Sequence, residues 1–209
     1  MTSPSPSELR VLRPLTSPER IQSFLDGVPY SHESKYRSPR DVIRDRVAHC
    51  FDGAVFAACA LQRIGDPPLL LELIPNDRDD DHILALFRRR GHWGAVAKSN
   101  YVGLRWREPV YRSVRELVMT YFEPYFNLQG ERTLRGYTAP LDLRRFRRLD
   151  WYADAAAMDV IGDGLNEVRS YRLLSPAMLR ALTDIDRRSY KAGLMGSVQR
   201  GLFRAKGRK

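Results

Sequence analysis

The chain has 209 residues, 43% of them hydrophobic, and a formal net charge of +10 at pH 7. That composition excludes wholesale disorder, and the length suits one sizeable domain, or a domain with a helical appendage. Arginine far outnumbers lysine, a balance that attracts polyanions such as acidic proteins, phosphorylated substrates or nucleic acid.

Residues 1–15 are rich in Ser and Pro and read as a flexible arm. "TSPERIQSFLDG" predicts a short helix with Ser17 as N-cap and Pro18 at the first helical position, and "SPRDVIRDRV" repeats the pattern with Ser38 and Pro39. "CFDGAVFAACALQRIG" follows, with apolar residues at helical spacing and Gly65 as its stop. It predicts a buried helix with Cys50 at its N-terminal end. The run Leu69–Ile74 is short, continuous and apolar, as a central strand requires. After the polar loop "NDRDDD", "HILALFRRRGHWGAVAKSN" predicts a hairpin turning near Gly91. "YVGLRWREPVY" adds an extended piece, and "SVRELVMTYFEPYF" an amphipathic helix. Residues 131–195 read as a mixed, helical extension packed on the core, with one capped helix in "SPAMLRALTDIDRRSYKAG", and 196–209 as a frayed basic tail. The expected class is α+β: a core over 16–130 with a buried helix on an antiparallel sheet, and extra C-terminal helices.

Cys50 and Cys59 stand nine residues apart on the same helix, about 13 Å at ~1.5 Å per residue, too far for a disulfide. A reduced thiol points to an intracellular protein. The opening "MTSPSPSELR" has no apolar stretch and no run reaches the ~18 residues of a membrane span, so a cytoplasmic protein with no membrane partner is expected.

A thiol with its usual pKa of about 8.5 is a poor nucleophile at neutral pH; a helix N-terminus and a nearby histidine both favour the thiolate. Of the four histidines, His49 adjoins Cys50 but points elsewhere and suits capping, His92 sits in the hairpin turn beside Trp93, and His32 lies in a polar stretch. His82 opens the first hairpin strand. With a turn centred on Gly91, cross-strand partners sum to 182 and Asn100 faces His82; a slip of one residue offers Ser99 or Tyr101 instead. Cys50, His82 and Asn100 then form nucleophile, base and orienter.

The stretch "SPRDVIRDRVAHCFDGAVFAACALQRIGDPPLLLELI…DDDHILALFRRRGHWGAVAKSN" resembles the core of the transglutaminase-like superfamily within the papain-like cysteine fold. The resemblance covers about residues 38–100. It implies Cys50 as nucleophile, His82 as base and Asn100 as third member. The chain departs from the family's pattern at Ala48, where a Gly commonly stands, and at Asn100–Tyr101, in place of Asp–Pro. The Cys50 backbone N–H would supply one oxyanion donor, and Tyr36 or Gln22 the second.

The implied activity is cysteine-dependent acyl transfer on a peptide or amide bond, by hydrolysis or by transfer to an amine, without cofactor or metal. The positive charge admits an acidic substrate. A metal site through His49, Cys50 and His82 lacks a CxxC or HxxxH pairing, "NDRDDD" lacks the glycine and glutamate of a calcium loop, and phosphate-binding glycine motifs are absent. The alternative is a catalytically silent module that binds an acidic protein, or less favourably nucleic acid, through an arginine-aromatic surface. That surface would use Arg88–Arg90, Arg105, Arg107, Arg112 and the RRFRR cluster with Trp93, Tyr101 and Trp106.

Overall fold

Three Ser–Pro pairs open the first three helices of the computed structural model, which describes residues 2–204. Helices α1 (Pro6–Leu12), α2 (Pro18–Asp26) and α3 (Pro39–Asp45) each start on the proline, and the serine before it accepts a backbone N–H from Glu8, Arg20 or Asp41 at 3.3–3.4 Å. Proline lacks the N–H that a first turn leaves unused, and serine satisfies one of the others. The expected flexible arm is therefore corrected. Leu12 and Leu15 are buried in the core, and Glu8 accepts hydrogen bonds from Arg40 Nε at 2.9 Å and the Tyr152 hydroxyl at 3.0 Å.

Helix α4 (Cys50–Arg63) is the buried helix, sealed from Cys50 through Leu61. Its end turns at Gly65, whose φ of +98° suits glycine. The sheet beneath it is built from β1 (Leu69–Pro75), β2 (His82–Arg89), β3 (His92–Val96), β4 (Arg107–Tyr111), β5 (Leu134–Thr138), β6 (Leu141–Asp142) and β7 (Ser170–Arg172). All pairings are antiparallel, in the order β4-β3-β2-β1-β5-β7, with β6 beside β1 beyond the end of β5. Because β5 pairs with β1 in mid-sheet, no seam falls at residue 130, and the stretch expected as an appended extension completes the sheet.

Both faces of the sheet are covered. Leu70, Ile83, Ala85, Phe87 and Val96 pack with α1–α4 and with α6 (Ala156–Glu167). Leu71, Leu73, Leu84, Leu86 and Ala95 pack under α5 (Val114–Met119), Tyr121 and Tyr125. Helix α5 stops short of the expected stretch, which runs on through Pro124. The single helix expected over 175–193 is two, α7 (Pro176–Arg180) and α8 (Arg187–Gly193), because Asp186 caps a fresh start by accepting N–H bonds from Arg188 and Ser189 at 2.9 and 3.0 Å. Part of the expected frayed tail is ordered, with Leu202 buried; residues 205–209 lie outside the described residues. No helix among the described residues is long and apolar enough to cross a membrane.

One close approach sets α4 on the sheet. A Cβ at Gly53 would stand 2.3 Å from Lys98 Cβ, so only glycine lets the helix mouth come down onto the chain after β3. Gly53→Ala is expected to lower stability by about 1–3 kcal/mol as an overpacking change, read as a drop in the urea midpoint at unchanged slope; an unchanged midpoint would mean the helix can slide at no cost.

Candidate functional site

Cys50 occupies the first position of α4, as the sequence leads one to expect. His49 is the N-cap, as its position suggested: its Nδ1 accepts the Phe51 N–H at 3.2 Å, while its own N–H donates to Asp52 at 3.3 Å. The Cys50 sulfur lies over the start of β2, 3.9 Å from the Asp81 carbonyl oxygen, and the Ile83 N–H donates to it. Burial pushes the thiol pKa well up, and the nearby Asp81 and Asp80 carboxyls push it further. The helix mouth does not overcome these effects. This thiol is not poised as a thiolate.

The expected triad is not assembled. The hairpin turns on two residues, Arg90 and Gly91, with φ of +50° and +82°. Cross-strand partners therefore run Arg89↔His92 to Ala85↔Val96, a sum of 181 rather than 182, and the pairing ends before residue 100. His82 shares the alternation of Leu84 and Leu86, on the face turned away from α4, while Ile83 faces the helix. Its Nε2 lies 2.7 Å from the Leu104 carbonyl oxygen. A carbonyl only accepts, so the neutral ring carries its proton on Nε2. Burial, chiefly, lowers the His82 pKa to about 4. Asn100 gives both ends of its amide to the Val198 backbone, at 2.9 and 2.8 Å. Among the described hydrogen bonds none joins His82 to Cys50 or to Asn100. The two expected oxyanion donors differ in kind: Gln22 is committed to the Ala97 backbone N–H and C=O, both at 3.0 Å, whereas Tyr36 lies over His49 and Phe51 at the cavity wall.

What α4 does open onto is a cavity of about 570 Å³. Its walls are the loop before α3, the α4 mouth, the β1–β2 loop, one side of α6 and the last described residues. Tyr30, absent from the sequence reading, lies against the Cys50 thiol, and burial raises its phenol pKa well above the ordinary value. Six carboxyl residues line the space: Glu33, Glu72, Asp80, Asp81, Asp159 and Asp163. The chain carries +10 overall, yet carboxyl groups are gathered around this cavity, with Arg200 among its lining residues. Burial and the adjoining Asp81 carboxyl raise Glu72 to about 7, and burial with Asp81 and Asp79 raises Asp80 to about 6. Among the described residues no three His, Cys, Asp or Glu side chains are arranged to hold a metal ion.

Several arginines of the anticipated basic surface are engaged at home. Arg89 grips Asp66 with two bonds at 2.7 and 2.9 Å, Arg105 reaches Asp26 at 3.1 Å, Arg107 bonds Thr120 and the Gly103 carbonyl, and Arg144 pairs with Asp142. Arg88 stacks on Trp93 at 4.9 Å, and Trp106 stacks on Phe87 at 5.3 Å. No family model and no curated protein matches the chain.

Two signals for the cavity were present in the sequence. Glu72 interrupts the apolar run of β1 on the side that faces α4, and Asp159, Gly162, Asp163 and Asn166 recur at helical spacing along α6.

Proposed function

We propose that this chain is a catalytically silent ligand-binding module on a transglutaminase-like core, with the cavity at the mouth of α4 as its site. The observation that carries the reading is the placement of His82 on the far face of the sheet, bonded to the Leu104 carbonyl. A buried thiol to which no base is hydrogen-bonded is a poor nucleophile. The transglutaminase-like part of the reading is supported by the order of elements: a buried helix opening on Cys50, a strand, then a hairpin opening on His82, all on an antiparallel sheet.

The carboxyl residues of the wall favour a ligand with an ammonium or guanidinium group, which a carboxylate meets in a charge-assisted hydrogen bond. The arginine side chains pinned by their own neighbours leave less for the polyanion-binding reading.

The test is intact-mass spectrometry after incubation with activated acyl donors, p-nitrophenyl acetate and a peptidyl aminomethylcoumarin. The expected result is no adduct on Cys50 and equal product release from the parent and Cys50→Ser proteins. An acyl adduct on Cys50 that vanishes in His82→Gln would overturn the reading. One observation favours such a second reading, cysteine-dependent acyl transfer on amide or peptide bonds. Cys50, His82 and Asn100 all line a single small cavity of about 40 Å³ where β2 begins.

A further inference from the structure

The last described stretch of the chain runs back across the mouth of α4. Buried Asn100 holds one residue of it by both backbone groups: its Nδ2 donates to the Val198 carbonyl at 2.9 Å, and the Val198 N–H donates to Oδ1 at 2.8 Å. A side chain that pairs with the N–H and the C=O of the same residue acts as a neighbouring strand does, and it reads main chain rather than side chain. Val198 is extended, with φ −80° and ψ 108°, and so is Leu202, with φ −84° and ψ 128°. Between them a 3₁₀ turn, Gln199–Gly201, brings Gly201 so close to the wall that a Cβ there would meet a Tyr30 ring carbon at 2.9 Å and Asn100 Nδ2 at 3.3 Å. Arg200 lines the carboxylate-walled cavity, and Leu202 is buried beside it.

This strap is joined to the rest of the chain by an exposed bend. Met195 is 72% exposed, and Gly196, at φ +71°, has open space around it. A hinge of that kind lets the segment lift without disturbing the sheet.

We infer that the strap over Val198–Phe203 is a displaceable internal occupant of a peptide-binding groove, and that the groove's external ligand is a basic segment of a partner protein with the same pattern. In such a ligand one extended residue sits on Asn100, a basic side chain two residues later faces the carboxyl residues, and a glycine passes Tyr30. The inference deepens the binding reading of the α4 cavity and rests on it. The local concentration of the tethered strap sets how strongly a partner must bind to displace it.

The probe is the acetylated, amidated peptide Ser197–Arg204 added to the full-length Gly201→Val protein, with iodoacetamide alkylation of Cys50 followed by peptide mapping. The valine is expected to lift the strap and to speed Cys50 alkylation about tenfold or more over the parent protein. Saturating peptide should restore the slow rate, whereas the Arg200→Glu peptide should bind at least about tenfold more weakly. Adding Asn100→Ala to the Gly201→Val protein should abolish protection. Alkylation at the parent rate in a Gly201→Val protein with native circular dichroism, or fast alkylation that the peptide does not slow, would overturn the inference. Should the variant fail to fold, hydrogen exchange of the parent protein decides. The Val198 amide should exchange well before the amides of α4 and β2, and exchange at their common rate sinks the displaceable strap. Protection is read by alkylation and not by turnover. An acyl adduct on Cys50 would therefore remove the silent-module reading while leaving the strap in place, and lost protection would do the reverse.

Discussion

Cys50 in the folded protein is expected to react with iodoacetamide at pH 7.5 at least about 100-fold more slowly than in urea. Three features act together. The residue is buried at 8% exposure, the Asp81 and Asp80 carboxyls stand close to the sulfur, and the Asp81 carbonyl and Ile83 N–H that meet it at the start of β2 are main-chain groups. Burial and the carboxyls raise the cost of the thiolate, and each unit of pKa removes tenfold of the reactive form. Cys59, whose pKa burial lifts to about 12, should be comparably slow. An activated Cys50 would behave otherwise, reacting faster folded than unfolded and far ahead of Cys59. Quantitative mapping of both sites over time separates the cases.

Arg37→Ala is expected to cost about 3–5 kcal/mol at pH 8, the usual penalty for leaving a buried charge without its partner. The guanidinium, 2% exposed, reaches Glu33 at 2.6 Å, Ser31 at 3.1 Å, Asp45 at 3.2 Å and Asp52 at 3.7 Å. Asp52 is fully buried and accepts the backbone N–H groups of Arg37 and His49 at 2.8 and 3.3 Å, which fixes the first turn of α4. Even with Arg37 present, burial raises Asp52 to about 6. The sign follows from proton binding. A carboxyl whose folded pKa lies above its unfolded value binds more protons when folded, so stability falls as pH rises through that window. Removing Arg37 widens the window, and the deficit of Arg37→Ala should therefore shrink between pH 8 and pH 5. Asp52→Asn in the same background should recover part of the loss. Equal deficits at both pH values in urea titrations would show that Asp52 is not the group left stranded.

Much of the frame was legible because its signals are local. The Ser–Pro pairs at 17/18 and 38/39 mark α2 and α3, the alanine-rich helical spacing marks α4, and the apolar run of β1 and the Gly91 turn mark the hairpin, whereas the same Ser–Pro signal at 5/6 was read as part of a loose arm. The candidate triad was not, for two physical reasons. A strand covered on both faces is apolar throughout, so "HILALF" carries no alternation to tell which way His82 points. The turn carries positive φ at Arg90 as well as Gly91, and a register shift of one residue moves every side chain to the other face. The strap was invisible for a different reason. The Asn100–Val198 pair spans 98 residues, and nothing in the local pattern of a basic, glycine-bearing tail announces a partner so distant. Glu72 was the missed clue, a lone carboxyl inside an otherwise apolar strand.

Long-range proton–nitrogen spectra of the imidazoles in the parent and Cys50→Ser proteins bear most directly on whether the α4 thiol has a base. The expected His82 signal is that of a neutral ring protonated at Nε2, constant from pH 8 to about pH 5 because its pKa lies near 4, and the same in both proteins. An imidazolium at pH 7 that disappears with the sulfur would mean an ion pair between Cys50 and His82, and the silent binding module would have to give way to an enzyme.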